Sequence, residues 1–185
     1  MKLKKKTATT YTNVVSLADA KAHLRVDIST DDTLITSLIN TAGEIVEQYT
    51  GLFLEQCDFT YLADTFQHIM NVHAGPGVRI DSVKYQSDAG TLETWASTNY
   101  FTDVDSYPMR VDFEHIPSDV DERVHAVQIA GRAGYTTVPS ALKSAMLLII
   151  GHLYEHRKDV LVGIQSAPLV HGAKYLMDKF KPSTF

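Results

Sequence analysis
With 185 residues, 44% of them hydrophobic and 21% charged, the chain sits in the globular range and is sized for one domain, or one domain carrying an insertion. Lysine and arginine number 17 against 22 aspartates and glutamates, a formal net charge of −5, and Cys57 is the single cysteine. An internal disulfide and a cysteine-based zinc or iron–sulfur centre within the chain are thereby excluded. Four of the cations, Lys2, Lys4, Lys5 and Lys6, fall in the first six residues, so residues 7–185 hold 13 cations against 22 carboxylates. An acidic body argues against a protein that grips nucleic acid by neutralising phosphates, which needs clustered lysine and arginine. It does not argue against one that surrounds DNA without holding it. The apolar run Ala145–Ile150 is far short of the ~20 residues that span a bilayer, and no apolar signal-peptide core follows the lysines. A soluble chain with no membrane partner is expected.

In chain order, residues 1–15 read as a flexible basic arm. Ser16 and Asp19 make an approximate capping box that opens a short helix to about Arg25. Asp31 or Asp32 caps a second helix, in which Leu34, Ile35, Leu38, Ile39, Ala42, Ile45, Val46 and Tyr49 form one stripe. Gly51 ends it through the left-handed conformation. From Cys57 to Tyr135 the period turns strand-like, with segments at 57–63, 66–73, 78–86, 99–104, 109–114 and 123–130 separated by glycine- and proline-bearing turns. Pro139 suits the first turn of a third helix. There Leu142, Met146, Ile149 and Leu153 form a stripe that Ala145, Leu147, Leu148 and Ile150 widen nearly all round. Residues 163–168 read as a loop. A last helix spans 169–180, with Leu169, Ala173, Leu176 and Phe180 on one side. The predicted fold class is α+β: a helical-bundle core from 16–56 and 137–180, an inserted antiparallel β-rich subdomain over 57–136, and a tail at 181–185.

Few motifs offer chemistry. His152, Glu155 and His156 fit H-x-x-E-H, in which two imidazoles one turn apart share a metal and the glutamate activates its water. A third ligand is wanted, but no glutamate follows His156, and His171 would serve only in a special fold. The plainer reading is a polar helix end. Gly131 and Gly134 match a G-x-x-G nucleic-acid clamp, yet a strand precedes them, and glycines at a sharp turn explain them as well. The pairs Asp103/Asp105 and Asp119/Asp121 do not continue into a calcium loop. Trp95, Tyr100, Phe101 and Tyr107 read as sheet core or interface before a base-stacking platform. No nucleophile elbow, P-loop or dinucleotide fingerprint occurs.

Three stretches carry a resemblance: Ser16-Leu-Ala-Asp-Ala-Lys-Ala-His-Leu-Arg-Val-Asp27, Asp31-Asp-Thr-Leu-Ile-Thr-Ser-Leu-Ile39 and Val46-Glu-Gln-Tyr-Thr-Gly51. With Ala130-Gly-Arg-Ala-Gly-Tyr135, Val138-Pro-Ser-Ala-Leu142 and His152-Leu-Tyr-Glu-His-Arg157 downstream, residues 16–160 resemble the head-tail connector (adaptor) proteins of tailed bacteriophages, in their longer form with a β-rich insertion. The resemblance implies a non-enzymatic virion protein without cofactor, made in the bacterial host cytoplasm and placed at the head-tail interface. It implies a ring of about twelve copies that binds the portal protein on one face and a stopper or tail-completion protein on the other. DNA would pass through the channel without specific binding. His156 departs from the asparagine common at that position in the family, and the lysine arm lies outside the resemblance. Candidate portal or oligomer contacts are Leu169, Tyr175, Leu176, Phe180 and Phe185, because a terminal apolar segment can dock in a neighbour's groove. The alternatives are a metal-dependent hydrolase using His152, Glu155 and His156, or another phage tail-completion protein.

Overall fold
The computed structural model describes residues 2–5, 10–156 and 171–181. The chain divides into two compact units, Met1–Thr9 with Gln56–Thr136 and Thr10–Glu55 with Thr137–Phe185.

Among the described residues the first unit holds eight strands: β1 (Lys2–Lys5), β2 (Cys57–Ala63), β3 (Ile69–Val72), β4 (Gly77–Gln86), β5 (Leu92–Trp95), β6 (Tyr100–Asp103), β7 (Met109–Phe113) and β8 (Val127–Ala133). They form two antiparallel sheets, β1-β2-β8-β4-β5 and β3-β7-β6. Alternation decides which side chains go inward. Phe59, Tyr61, Val127, Ile129 and Val83 are buried from the larger sheet, and Met70, Val72, Met109, Val111 and Phe113 from the smaller. Phe66, between β2 and β3, joins the two. Its ring stands edge-on to Tyr85 at 6.0 Å and to Phe113 at 5.0 Å, and Tyr85 in turn meets Trp95 at 5.8 Å. Such edge-to-face pairs add specificity to the apolar burial.

Tyr85 is also the polar anchor of this cluster, since its hydroxyl lies 3.1 Å from Asp119 Oδ1 and 3.3 Å from Glu93 Oε2, two acceptors that share its one proton. Burial first, and then the two carboxylates, push its phenol up to about 12. A raised folded-state pKa means that the stabilisation is complete below about 10, the unfolded value, and fades as the pH climbs through about 12. Tyr85→Phe is therefore expected to cost roughly 1 kcal/mol at neutral pH. It should also flatten the fall in stability of the strand unit above pH ~10. Urea melts across pH 7–11 check this, and an unchanged alkaline slope would refute it.

The helical unit holds α1 (Leu17–Leu24), α2 (Asp32–Thr50), α3 (Ser140–Glu155) and α4 (His171–Asp178). Ser16 caps α1 as the sequence predicts, its Oγ accepting from the Asp19 backbone N–H at 3.1 Å. Gly51, at φ 73°, ends α2 and donates to the Glu47 carbonyl. Ile35, Ile39, Ala42 and Val46 of α2 are buried, as are Leu142, Ala145, Met146, Ile149 and Ile150 of α3. A 3-10 turn at Tyr11–Asn13 adds buried Tyr11, followed by Val14 and Val15. Polar ties accompany the packing: Lys21 Nζ to Asp32 (2.6 Å), and the Tyr154 hydroxyl donating to Asp31 (2.5 Å).

This architecture corrects the expected helical-bundle core with an inserted β-rich subdomain. The fold is mixed α+β, but among the described residues two of the four helices have only eight residues, and the strands make two sheets rather than one appended layer. Moreover β1 precedes every helix and pairs with β2 from Lys2↔Leu62 to Lys5↔Phe59. Residues 2–5 are thus a strand and not part of a flexible arm. The lysines misled because charge in a short segment looks like solvated chain, whereas an edge strand tolerates lysine well. Strand β5 was also absent from the prediction. It follows the turn at Gly90 (φ 82°) and pairs back on β4 from Gln86↔Leu92 to Val83↔Trp95. The 3-10 turn at Tyr11–Asn13 likewise lies inside the span read as an arm.

Candidate interaction surfaces
The helical unit presents α4 as a two-faced element. Ala173 and Met177, one turn apart, are fully buried, and a side chain at Gly172 would meet Leu148 Cδ1 at 3.4 Å. The inward stripe runs through Ala173, which the predicted stripe of Leu169, Ala173, Leu176 and Phe180 contains, and Met177, which it omits. Leu176 and Phe180 are half-buried at its margin. Tyr175 points outward, 67% exposed, with Lys179 Nζ 5.4 Å from its ring centre. Lys181 lies 4.4 Å above the Tyr49 ring, whose hydroxyl donates to Asp178 at 2.5 Å. Hydrogen bonding to that carboxylate raises the Tyr49 pKa. Of the five candidate contact residues, Leu169 and Phe185 lie outside the described residues.

The strand unit offers two surfaces. One is a groove of about 570 Å³ between Asp64–Phe66 and the 116–124 segment. Its apolar part includes Phe66, Ile116 (37% exposed) and Val124 (72% exposed). Asp64, Asp121 and Glu122 line it against a single cation, Arg123, which pairs with Asp121. Asp64 Oδ1 accepts from the His125 backbone N–H at 2.9 Å, and His125 sits at φ 62°. The second surface is the outer side of the small sheet. Register places Ile69 and Phe101 on either side of Asp112 in one row, and both apolar side chains are at least half exposed. In the next row Arg110 donates to Asp103 at 2.8 Å. That bond, with help from Ser106, lowers the Asp103 carboxyl to about 2. The groove escaped sequence reading because its walls come from segments some fifty residues apart, each looking like an ordinary polar turn.

The motif residues take structural places. His152 and Glu155 are exposed and His156 half-buried, with the two imidazole rings in edge contact at 4.7 Å. Among the described residues, no group of three or more histidine, cysteine or carboxylate side chains is placed to hold a metal ion. His171 opens α4 as an exposed residue. Gly131 lies inside β8, and Gly134 (φ 120°) follows it, so G-x-x-G spans the end of a strand. Trp95, Tyr100 and Tyr107 are half-buried, and Phe101 alone of that aromatic set is exposed. Among the described residues no helix is long and apolar enough to cross a membrane.

Taken together, these features define a two-unit α+β protein with an acidic groove and an exposed apolar row on its strand unit. Residues 14–74 match the family model described as phage gp6-like head-tail connector protein, which bears out the resemblance read from the N-terminal stretches. The fold is similar to a chain in the virion of a native gene transfer agent particle, with a TM-score of 0.79 at 19% identity, covering 98% of this chain and 95% of the other. It is also similar, at the same identity and coverage, to chains in two necks of that particle type. The neck of the empty particle, computed with C6 symmetry, gives a TM-score of 0.78, and the neck of the native particle, computed with C12 symmetry, gives 0.73. A comparison with curated protein sequences finds no match.

Proposed function
We propose that the chain is a structural adaptor of the virion neck, assembling as a ring at the head-tail interface and acting by docking rather than by catalysis. The observation that carries this is the likeness, over nearly the whole chain, to proteins of gene transfer agent particles, including their necks. The connector-family match over residues 14–74 supports it independently. Necks computed with sixfold and twelvefold symmetry favour a ring of copies, and twelve is the number carried by the resemblance. The ring binds the portal protein on one side and a stopper or tail-completion protein on the other. Residues 56–136, with 12 carboxylates against 5 lysines and arginines, suit a conduit that DNA traverses without sticking, because like charge repels phosphate.

The C-terminal segment remains the proposed portal contact. Deleting residues 168–185 is expected to abolish portal binding. That deletion also strips Ala173 and Met177 from the helical core, so two milder variants accompany it: truncation after Lys181, which removes Phe185, and Leu169→Ala. Native mass spectrometry of each chain with the portal is the measurement. The full chain should load as a ring, and the milder variants should weaken loading while melting normally. Full-length chains that neither self-associate nor join a portal would overturn the adaptor reading. Undiminished loading of the deletion would overturn the terminal contact and leave the adaptor reading.

A further inference from the structure
We infer that the groove of the strand unit seats the Tyr175–Lys179 face of α4 from a second copy of the chain, an inference that rests on the ring reading above. The groove has a chemical polarity of its own. Phe66 and Pro117 give it a buried apolar part, Val120 is half-buried, and Ile116 and Val124 line it exposed. At about 570 Å³ it is the size of a small-ligand site, which suits a protruding side chain or two rather than a whole helix. Its rim is acidic. Asp121 is occupied by Arg123 and Asp64 by the His125 N–H, whereas Glu122 is exposed and makes no hydrogen bond or ion pair among the described residues.

What fits is an apolar knob with a cation beside it, and the chain carries one. Residues 137–185 hold 6 lysines and arginines against 3 carboxylates, the reverse of the balance over residues 56–136. Within α4 and its end, Lys174, Lys179 and Lys181 face one acid, Asp178, already engaged by Tyr49. Tyr175 is 67% exposed in its own chain and has the Lys179 ammonium over its ring. In the groove of a second copy, the ring covers Ile116 and Val124 while Lys179 reaches Glu122. An acidic peptide or a nucleic acid would meet repulsion at the same rim. A contact between two unlike patches is heterologous, and repeated around an axis it generates a ring when the rotation closes.

The test uses full-length chains. A His171→Cys chain, altered one turn before Tyr175, is mixed with a Ser118→Cys chain, altered in the groove lining, under mild oxidation, so that Tyr175, Lys179, Glu122 and Val124 are kept; the native Cys57 is buried and stays in place. The expected result is a mixed disulfide dimer in several-fold excess over either homodimer. In the same cysteine backgrounds, Glu122→Lys or Lys179→Glu alone should cut the yield several-fold, and the two reversals on opposite partners should restore it. Restoration by the paired reversal excludes misfolding as the cause of the loss. Portal loading of the full chain is followed in parallel, so the two ideas fail separately. Rings or portal complexes without the mixed crosslink would overturn this contact and leave the adaptor reading. Absence of crosslink, rings and portal binding together would overturn both.

Discussion

Gly43→Ala is expected to destabilise the helical unit by about 2 kcal/mol, although alanine is the better helix former by ~1 kcal/mol. A Cβ at Gly43 would lie 2.2 Å from Tyr11 Cγ and 2.5 Å from both Cδ atoms, because the ring lies flat on the glycine. The ring has little room to move. Tyr11 is 4% exposed, its N–H donates to Asn40 Oδ1 at 3.1 Å, and its hydroxyl donates to Glu47 Oε2 at 2.8 Å. Glu47 Oε1 also accepts from the Leu54 N–H at 2.9 Å, so pushing the ring out disturbs the turn before α1 and the segment after α2 together. Each hydrogen bond lost adds about 1 kcal/mol. Urea denaturation followed by far-ultraviolet circular dichroism measures the effect. The decisive control is the Tyr11→Ala background, where removal of the ring should reverse the sign and let Gly43→Ala stabilise. Stabilisation by Gly43→Ala in the natural background would show that the ring does not sit there.

The second large effect concerns Gly131, the residue that a nucleic-acid clamp motif would claim. It lies on β8 between Phe59 of β2 and Ile80 of β4. An added Cβ would stand 2.5 Å from the Arg79 carbonyl oxygen and 2.9 Å from Phe59 Cζ. The Phe59 ring, fully buried, occupies the space that a side chain would need. The carbonyl belongs to a neighbouring strand and cannot yield as a side-chain tip can. β4 is irregular on both sides of this point, with register shifts between Gly77 and Arg79 and between Ile80 and Ser82. Gly131→Val is expected to cost about 3 kcal/mol or more despite the β propensity of valine. Trp95 is the single tryptophan and belongs to β5 of the same sheet, so its fluorescence reports the unfolding of this unit directly. A melt unchanged from the natural chain would remove the packing account of Gly131 and reopen the motif reading.

These two glycines show where sequence reading stops. Gly51 was legible because its role is local: it follows the last apolar residue of α2 and takes a positive φ. Gly43 and Gly131 have no local signature, since what they accommodate arrives from residue 11 in one case and from residues 59 and 79 in the other. The same contrast holds for the surfaces. Period 3.6 placed α2 and α3, and alternation placed β2 at its observed limits. On α4, however, the expected stripe shares Ala173 with the buried face but continues through Leu176 where the structure buries Met177. An eight-residue helix gives the period too few repeats to resolve neighbouring stripes. Tyr175 was picked out as a contact residue, and its exposure is a fact of packing that the sequence could not carry.

Composition and pattern by themselves determined the exclusion of an internal disulfide, the acidic body, the order of the four described helices, most of the strand segments and the connector resemblance later met by the match over residues 14–74. All of these depend on local periodicity, capping or counting, which a linear chain records directly. Only the tertiary structure decided that residues 2–5 are an edge strand, that the strands divide into two sheets joined through Phe66, and that an acidic groove opens between residues 64–66 and 116–124. Each of these depends on partners tens of residues apart. Register and burial are properties of the pair, so neither partner's own neighbours along the chain can encode them.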